Sequence, residues 1–448
     1  MAHAKGDSGQ PVSSPPFTST LSQELLDRVI DHLHTDKASL QACALVARRW
    51  LSVSRLHLFE KTSVKGWSQD DFKLFRDHLL APDNGISFCI RDLSLVGKGY
   101  ALGGPNVSSS FPRLCKHTLQ DIVLHLPNLR TLHLLRLRPA GCVDDCQSRP
   151  LLPRSVNLDS LTLRIGSAED PLQEIVEVFR LFGEVQNLHA LSVDWQVEPE
   201  TQPQSILRDV TTQMAQPNAL PSQLRVHSLA SAAPKLFYLL PALASTETRD
   251  SLTSLEIGPL RIGVQVETLR DFLHKLGPTF SRLYLAMGEP ISIDLTDHSG
   301  LSLRTAPTLS ILVLPLNLRL WESPEHGRWR CTRVLDALAS ASGSTTIRYI
   351  NFHFKFDVPW VLGWDSATFA EALSCRMDWV GLKEVLQTFP NLVKARMLLM
   401  DDPGFFNDFQ ATITANLARL VELNLLEIQP LPLLKDEWRP VFWWALNA

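Results

Sequence analysis

The chain has 448 residues, 45% of them apolar and 20% charged, and its 43 Lys and Arg nearly balance 47 Asp and Glu for a formal charge of -4. That length exceeds one ordinary core and points to several domains or one repeat array. The charge balance excludes a broad nucleic-acid surface, and seven scattered cysteines exclude a disulfide scaffold.

Residues 1–18 are rich in Ser, Pro and Gly and read as a tail without the apolar run of a signal peptide. No stretch reaches the length of a membrane span, so a cytoplasmic or nuclear location is expected. From Ser22 the texture changes. Leu21, Leu25, Leu26, Val29, Ile30 and Leu33 recur at helical spacing, with Glu24 and Asp27 in the favourable first turns. Asp36 is placed to cap a second helix holding Leu40, Cys43, Ala44 and Val46, with Arg48 and Arg49 favouring its end. A third helix from Trp50 to Phe59 follows.

This opening segment, residues 19–64, resembles an F-box, in particular those of mushroom-forming fungi. Leu21, Glu24, Leu25, Leu26, Val29 and Leu33 match the family's first helix; Leu40, Val46, Ala47, Arg48 and Trp50 match its second half. Ser22 replaces the usual proline and Ala47 the usual cysteine. The resemblance implies that Leu21, Glu24, Leu25, Val29 and Leu33 meet a Skp-type linker subunit, while Leu40, Val46 and Trp50 form the module's core. A helix-turn-helix is the competing reading, but no recognition helix rich in Lys, Arg, Asn or Gln follows Arg49.

Residues 65–88 read as a helical linker ending at Pro82 or the Asp83-Asn84-Gly85 turn. From residue 89 one hexamer recurs: Leu, two residues, Leu, one residue, Leu. Its first positions fall at 90, 129, 158, 188, 224, 252, 280, 309, 347, 392 and 420, and six of the ten intervals are 28 to 30 residues. Each hexamer ends as a half-buried strand requires, and helix-like stretches lie between. Residues 89–448 therefore resemble a leucine-rich repeat solenoid, with inserted loops at Pro315–Arg330 and Pro359–Arg376. The expected fold is α/β: a three-helix F-box followed by an irregular leucine-rich repeat horseshoe. A doubly wound α/β enzyme is the structural alternative, although it does not predict the hexamer.

No metalloprotease, nucleophile-elbow, phosphate-loop or dinucleotide motif appears, so no cofactor, metal or catalytic residue is expected. Cys142 and Cys146 lack the second close pair that a zinc site needs. His133, Thr162, Ser192, Glu256, Tyr284 and Asn424 alternate out of the strands and are the candidate substrate-binding residues. The tryptophans crowding the second half read mainly as packing. The combined resemblance implies a non-catalytic substrate adaptor of an SCF-type ubiquitin ligase. Its expected partners are the linker, a cullin scaffold through it, and an unknown protein substrate, with no nucleic acid and no membrane. A protein-interaction scaffold outside any ligase is the alternative.

Overall fold

The structure is a computed structural model that describes residues 22–82, 84–98, 111–140, 155–165, 172–192, 219–231, 237, 239–260, 263–287, 301–320, 322–357, 365–399 and 405–430. Helix α1 runs Gln23–Asp31, with the Ser22 hydroxyl accepting from the Leu25 amide at 3.4 Å. Its buried residues are Leu26 and Ile30. Asp36 caps α2, Lys37–Val46, by accepting from the amides of Ala38 and Ser39. Arg48 and Arg49 do not close that helix as expected. Extended Ala47 ends it, and Arg48 begins α3, Arg48–Phe59.

The segment read as the end of a helical module is a strand. β1, Lys61–Gly66, starts two residues after α3 and pairs in parallel with β2, Asp92–Gly97. Between them lies α4, Gln69–Leu80, whose entry is fixed by Asp71 accepting from the Trp67 and Ser68 amides. The remaining strands are β3 Arg113–Cys115, β4 Thr131–Ala140, β5 Val156–Ile165, β6 Phe182–Ser192, β7 Arg225–Ser231 and β8 Ser254–Leu260, then β9 Arg282–Met287, β10 Ile311–Arg319, β11 Tyr349–Asp357, β12 Lys394–Leu399 and β13 Leu426–Pro430. All pair in parallel in the order β1-β2-β4-β5-β6-β7-β8-β9-β10-β11-β12-β13, with β3 beside β4.

The core follows from the register. Leu93, Leu132, Leu161, Leu188, Leu229, Leu255, Leu283, Leu312 and Ile350 occupy consecutive ladder positions, none more than 1% exposed. One cluster of buried apolar residues runs from Phe72 to Leu426 without division. Strands added always in one direction by right-handed crossovers place their helices on one face. The other face is left to polar and aromatic side chains.

These observations correct the leucine-rich repeat horseshoe. The chain forms one α/β domain around a single continuous parallel sheet, and its units are not copies of one another. Strands range from three to eleven residues, and the returns carry one sixteen-residue helix in one unit and two four-residue helices in another. The regular intervals report the inward leucines that each strand turns toward the one continuous core. Hydroxyls satisfy carbonyls of the preceding unit at several strand entries. Thr253 donates to His227 O at 2.8 Å, Ser281 to Thr253 O at 3.3 Å and Ser310 to Ser281 O at 3.1 Å.

The expected insert at Pro315–Arg330 is also corrected, because it is the far half of β10 and the start of the helix Pro324–Ala339. The 45-residue interval contains two helices, Ser366–Ser374 and Trp379–Gln387. Among the described residues no helix is long and apolar enough to cross a membrane.

Candidate functional site

The polar face is organised by one register row. Ser94, His133, Thr162, His189, Ala230, Glu256, Tyr284, Val313, Asn351, Arg396 and Glu427 lie side by side from β2 to β13. His133, Thr162, Glu256 and Tyr284, four of the residues proposed from sequence, therefore share one line.

At the β2–β6 end, His133 Nε2 lies 3.5 Å from Asp92 Oδ1, and both side chains are 29% exposed. Burial pulls the His133 imidazole below its ordinary pKa, and the Asp92 charge offsets part of that. His189 is pulled down as well, first by burial and then by the charge of His133; its Nδ1 has no hydrogen-bond partner. Beside them the Arg164 guanidinium is lowered by burial and by Arg136. Arg136 sits at φ 54 where β4 bulges between Leu135 and Leu137. Gly97 admits that bulge, since a Cβ there would stand 1.8 Å from Arg136 O. At neutral pH this end therefore presents two uncharged imidazoles, one of them beside a carboxylate, flanked by the Ser94 and Thr162 positions.

The β8–β11 end is drier. Tyr284 is 8% exposed, and its phenol is raised well above the usual range by burial and by Glu256. Its ring meets His353 edge-on, with centroids 5.7 Å apart. Burial alone holds the His353 imidazole down at about 4. His353 Nδ1, Asn351 Oδ1 and Asn317 Oδ1 are buried polar atoms without hydrogen-bond partners among the described residues of β10, β11 and their surroundings. Perturbed titratable groups and unsatisfied buried polar atoms gathered on one face are the physical marks of a functional site.

The other expected site residues fall elsewhere. Ser192 pairs with Ile165 at the end of β6, and the residue that β6 contributes to the polar row is His189. Asn424 is in a turn at φ 55 ahead of β13, where it accepts from Lys394 Nζ at 2.5 Å. Leu420, read as a strand residue, is in the helix Ala418–Glu422. Among the helical residues Leu40 is wholly buried and Trp50 partly so, while Val46, expected in the core, is 63% exposed. Glu24, Leu25 and Val29 are exposed on α1 and Leu33 is half-buried; Leu21 lies outside the described residues, as do Cys142 and Cys146. Sequence reasoning missed His189, Asn351 and His353. His189 was missed through strand phase, because "LHALSV" places inward residues at Leu188 and Ala190.

No protein-family model matches this chain, and no curated protein matches it. The F-box identification is therefore not sustained. The three helices lead straight into the first strand of the sheet and do not stand ahead of a repeat array. The ubiquitin-ligase adaptor function rested on that pairing of modules and falls with it. The expectation of a non-catalytic chain is corrected on the same ground. The sheet buries Tyr284 and His353 and sets His133 beside Asp92 and in one row with His189, a gathering of perturbed groups that marks a candidate functional site. Among the described residues no group of three His, Cys, Asp or Glu could hold a metal ion.

Proposed function

We propose that this protein binds a polar ligand on the exposed face of its parallel sheet and sets a histidine base against it. The observation that carries the reading is His133, set beside Asp92 and in register with Thr162 and His189. A neutral imidazole oriented by a carboxylate accepts a proton at neutral pH, which is the requirement for general-base chemistry. Strand order never reverses along the sheet, so no switch-point crevice forms at the strand ends. The face itself is the remaining surface where chemistry-bearing side chains converge. The substrate class is a small molecule with hydroxyl or amide protons, matched to hydroxyl and imidazole neighbours.

The test screens polar metabolites by thermal shift against the wild type, His133→Asn and Asp92→Asn. A ligand that stabilises the wild type and loses its effect in both variants supports the reading. Ligands that act equally on all three proteins contradict it.

A second proposal concerns partners and rests on α1, where Leu25 is 49% and Val29 56% exposed while Leu26 and Ile30 are buried. We propose that this face docks a protein, for which the Skp-type linker subunit is the first candidate. Two charges at the centre of such an interface are costly. A Leu25→Asp, Val29→Asp double variant that folds yet binds the purified linker as well as the wild type contradicts the assignment. The five described cysteines are all free thiols, which supports a cytoplasmic or nuclear setting.

A further inference from the structure

Around the helix Pro324–Ala339 two arginines are buried, Arg333 and Arg376, and three others nearby are exposed or half-buried. Arg376 donates to the carbonyls of Ala372 and Leu320, each at 2.8 Å, and to Glu322 O at 2.5 Å. Arg328 reaches Cys375 O at 2.6 Å. Arg319 and Arg330 both pair with the Glu322 carboxylate, at 2.9 and 2.8 Å. Arg333 is 3% exposed, yet its Nε, Nη1 and Nη2 have no hydrogen-bond partner among the described residues.

The guanidinium of Arg333 instead lies over the Trp329 ring, 5.2 Å from the centroid. That stacking uses the face of the guanidinium and leaves its donor edge unsatisfied. Asp336, one turn further on, is exposed and raises the Arg333 pKa only in part against burial, which holds it at about 10. The Glu322 carboxylate is already held by two other arginines. A buried cation whose donors are left unsatisfied is expensive, and a planar fork of N–H donors is complementary to a two-oxygen anion.

We propose that Arg333 is the recognition element of an oxyanion site, taking a phosphate or carboxylate group edge-on while Trp329 holds the guanidinium plane. The site is on the helical layer and is independent of the histidines on the opposite face of the sheet.

The test follows the thermal midpoint of the full chain in sodium phosphate, sodium acetate and sodium chloride at matched ionic strength. Four proteins are compared: wild type, Arg333→Met, Arg333→Lys and Arg270→Met, the last removing a half-exposed arginine paired with Asp271. The proposal expects a saturating rise with phosphate or acetate but not chloride in the wild type and Arg270→Met. Whichever oxyanion saturates first identifies the group preferred. Arg333→Met should lose the rise, and Arg333→Lys should need at least ten times more anion, because an ammonium cannot present a fork. If Arg333→Met does not fold, the Arg333→Lys curve decides alone. An unchanged curve in either folded variant, or a wild type indifferent to both oxyanions, overturns the proposal.

Discussion

The imidazole Nε2 of His133 on β4 stands 3.5 Å from Oδ1 of Asp92 on β2, in a ladder that pairs His133 itself with Ser94, two residues beyond Asp92. This relationship exists because β2 and β4 are direct neighbours in a sheet that adds strands in chain order. The residues are 41 apart in sequence, and only the parallel register brings them together.

Leu283 tests the inward ladder. It is fully buried and paired with Leu255 and Leu312. Leu283→Ala is expected to lower unfolding stability by about 2–5 kcal/mol through lost transfer energy and a cavity. Chemical denaturation measures this directly, and an unchanged midpoint would contradict the buried position.

Gly97 tests the bulge beside the histidines. Its missing side chain leaves room for Arg136 O and for Pro112, whose Cδ would stand 2.8 Å from a Cβ. Gly97→Ala should destabilise the fold by about 3 kcal/mol through overpacking against backbone that cannot move aside. It should also shift the His133 imidazole resonances, since the bulge shares β4 with His133. A stable variant with unchanged resonances would refute the close approach.

His353 makes stability depend on pH. Its folded pKa of about 4 lies below the ordinary 6.5, so the unfolded chain takes up this proton first. The group's contribution is complete above about pH 6.5, is lost as the pH falls toward 4, and changes no further below that. The loss amounts to ~3 kcal/mol at 1.36 kcal/mol per pKa unit. Urea unfolding between pH 7.5 and 4 should show a shallower decline in His353→Phe, which keeps a ring against Tyr284. Parallel curves for the two proteins would show that His353 is not held neutral.

Much of the sheet was legible in sequence because burying a strand on one face imposes a local pattern. Leu132, Leu161, Leu255, Leu283 and Leu312 were all placed inward from the hexamer alone. Three features were not legible. Repetition at 28 to 30 residues does not distinguish a horseshoe of like units from a continuous sheet with unlike returns. Strand phase fails where a small residue takes an inward position, as Ala190 does, and that error hid His189. The sites at His353 and Arg333 depend on which buried atoms find partners, a property of three-dimensional packing that residue type does not encode.

The central claim is that His133 is a neutral base steered by Asp92, and histidine NMR titration of the wild type and Asp92→Asn tests it most directly. The account predicts a His133 pKa below 6.5 in the wild type, and a lower one in Asp92→Asn, where the carboxylate no longer favours the imidazolium. A wild-type value at or above 6.5, or one that Asp92→Asn leaves in place, would contradict it.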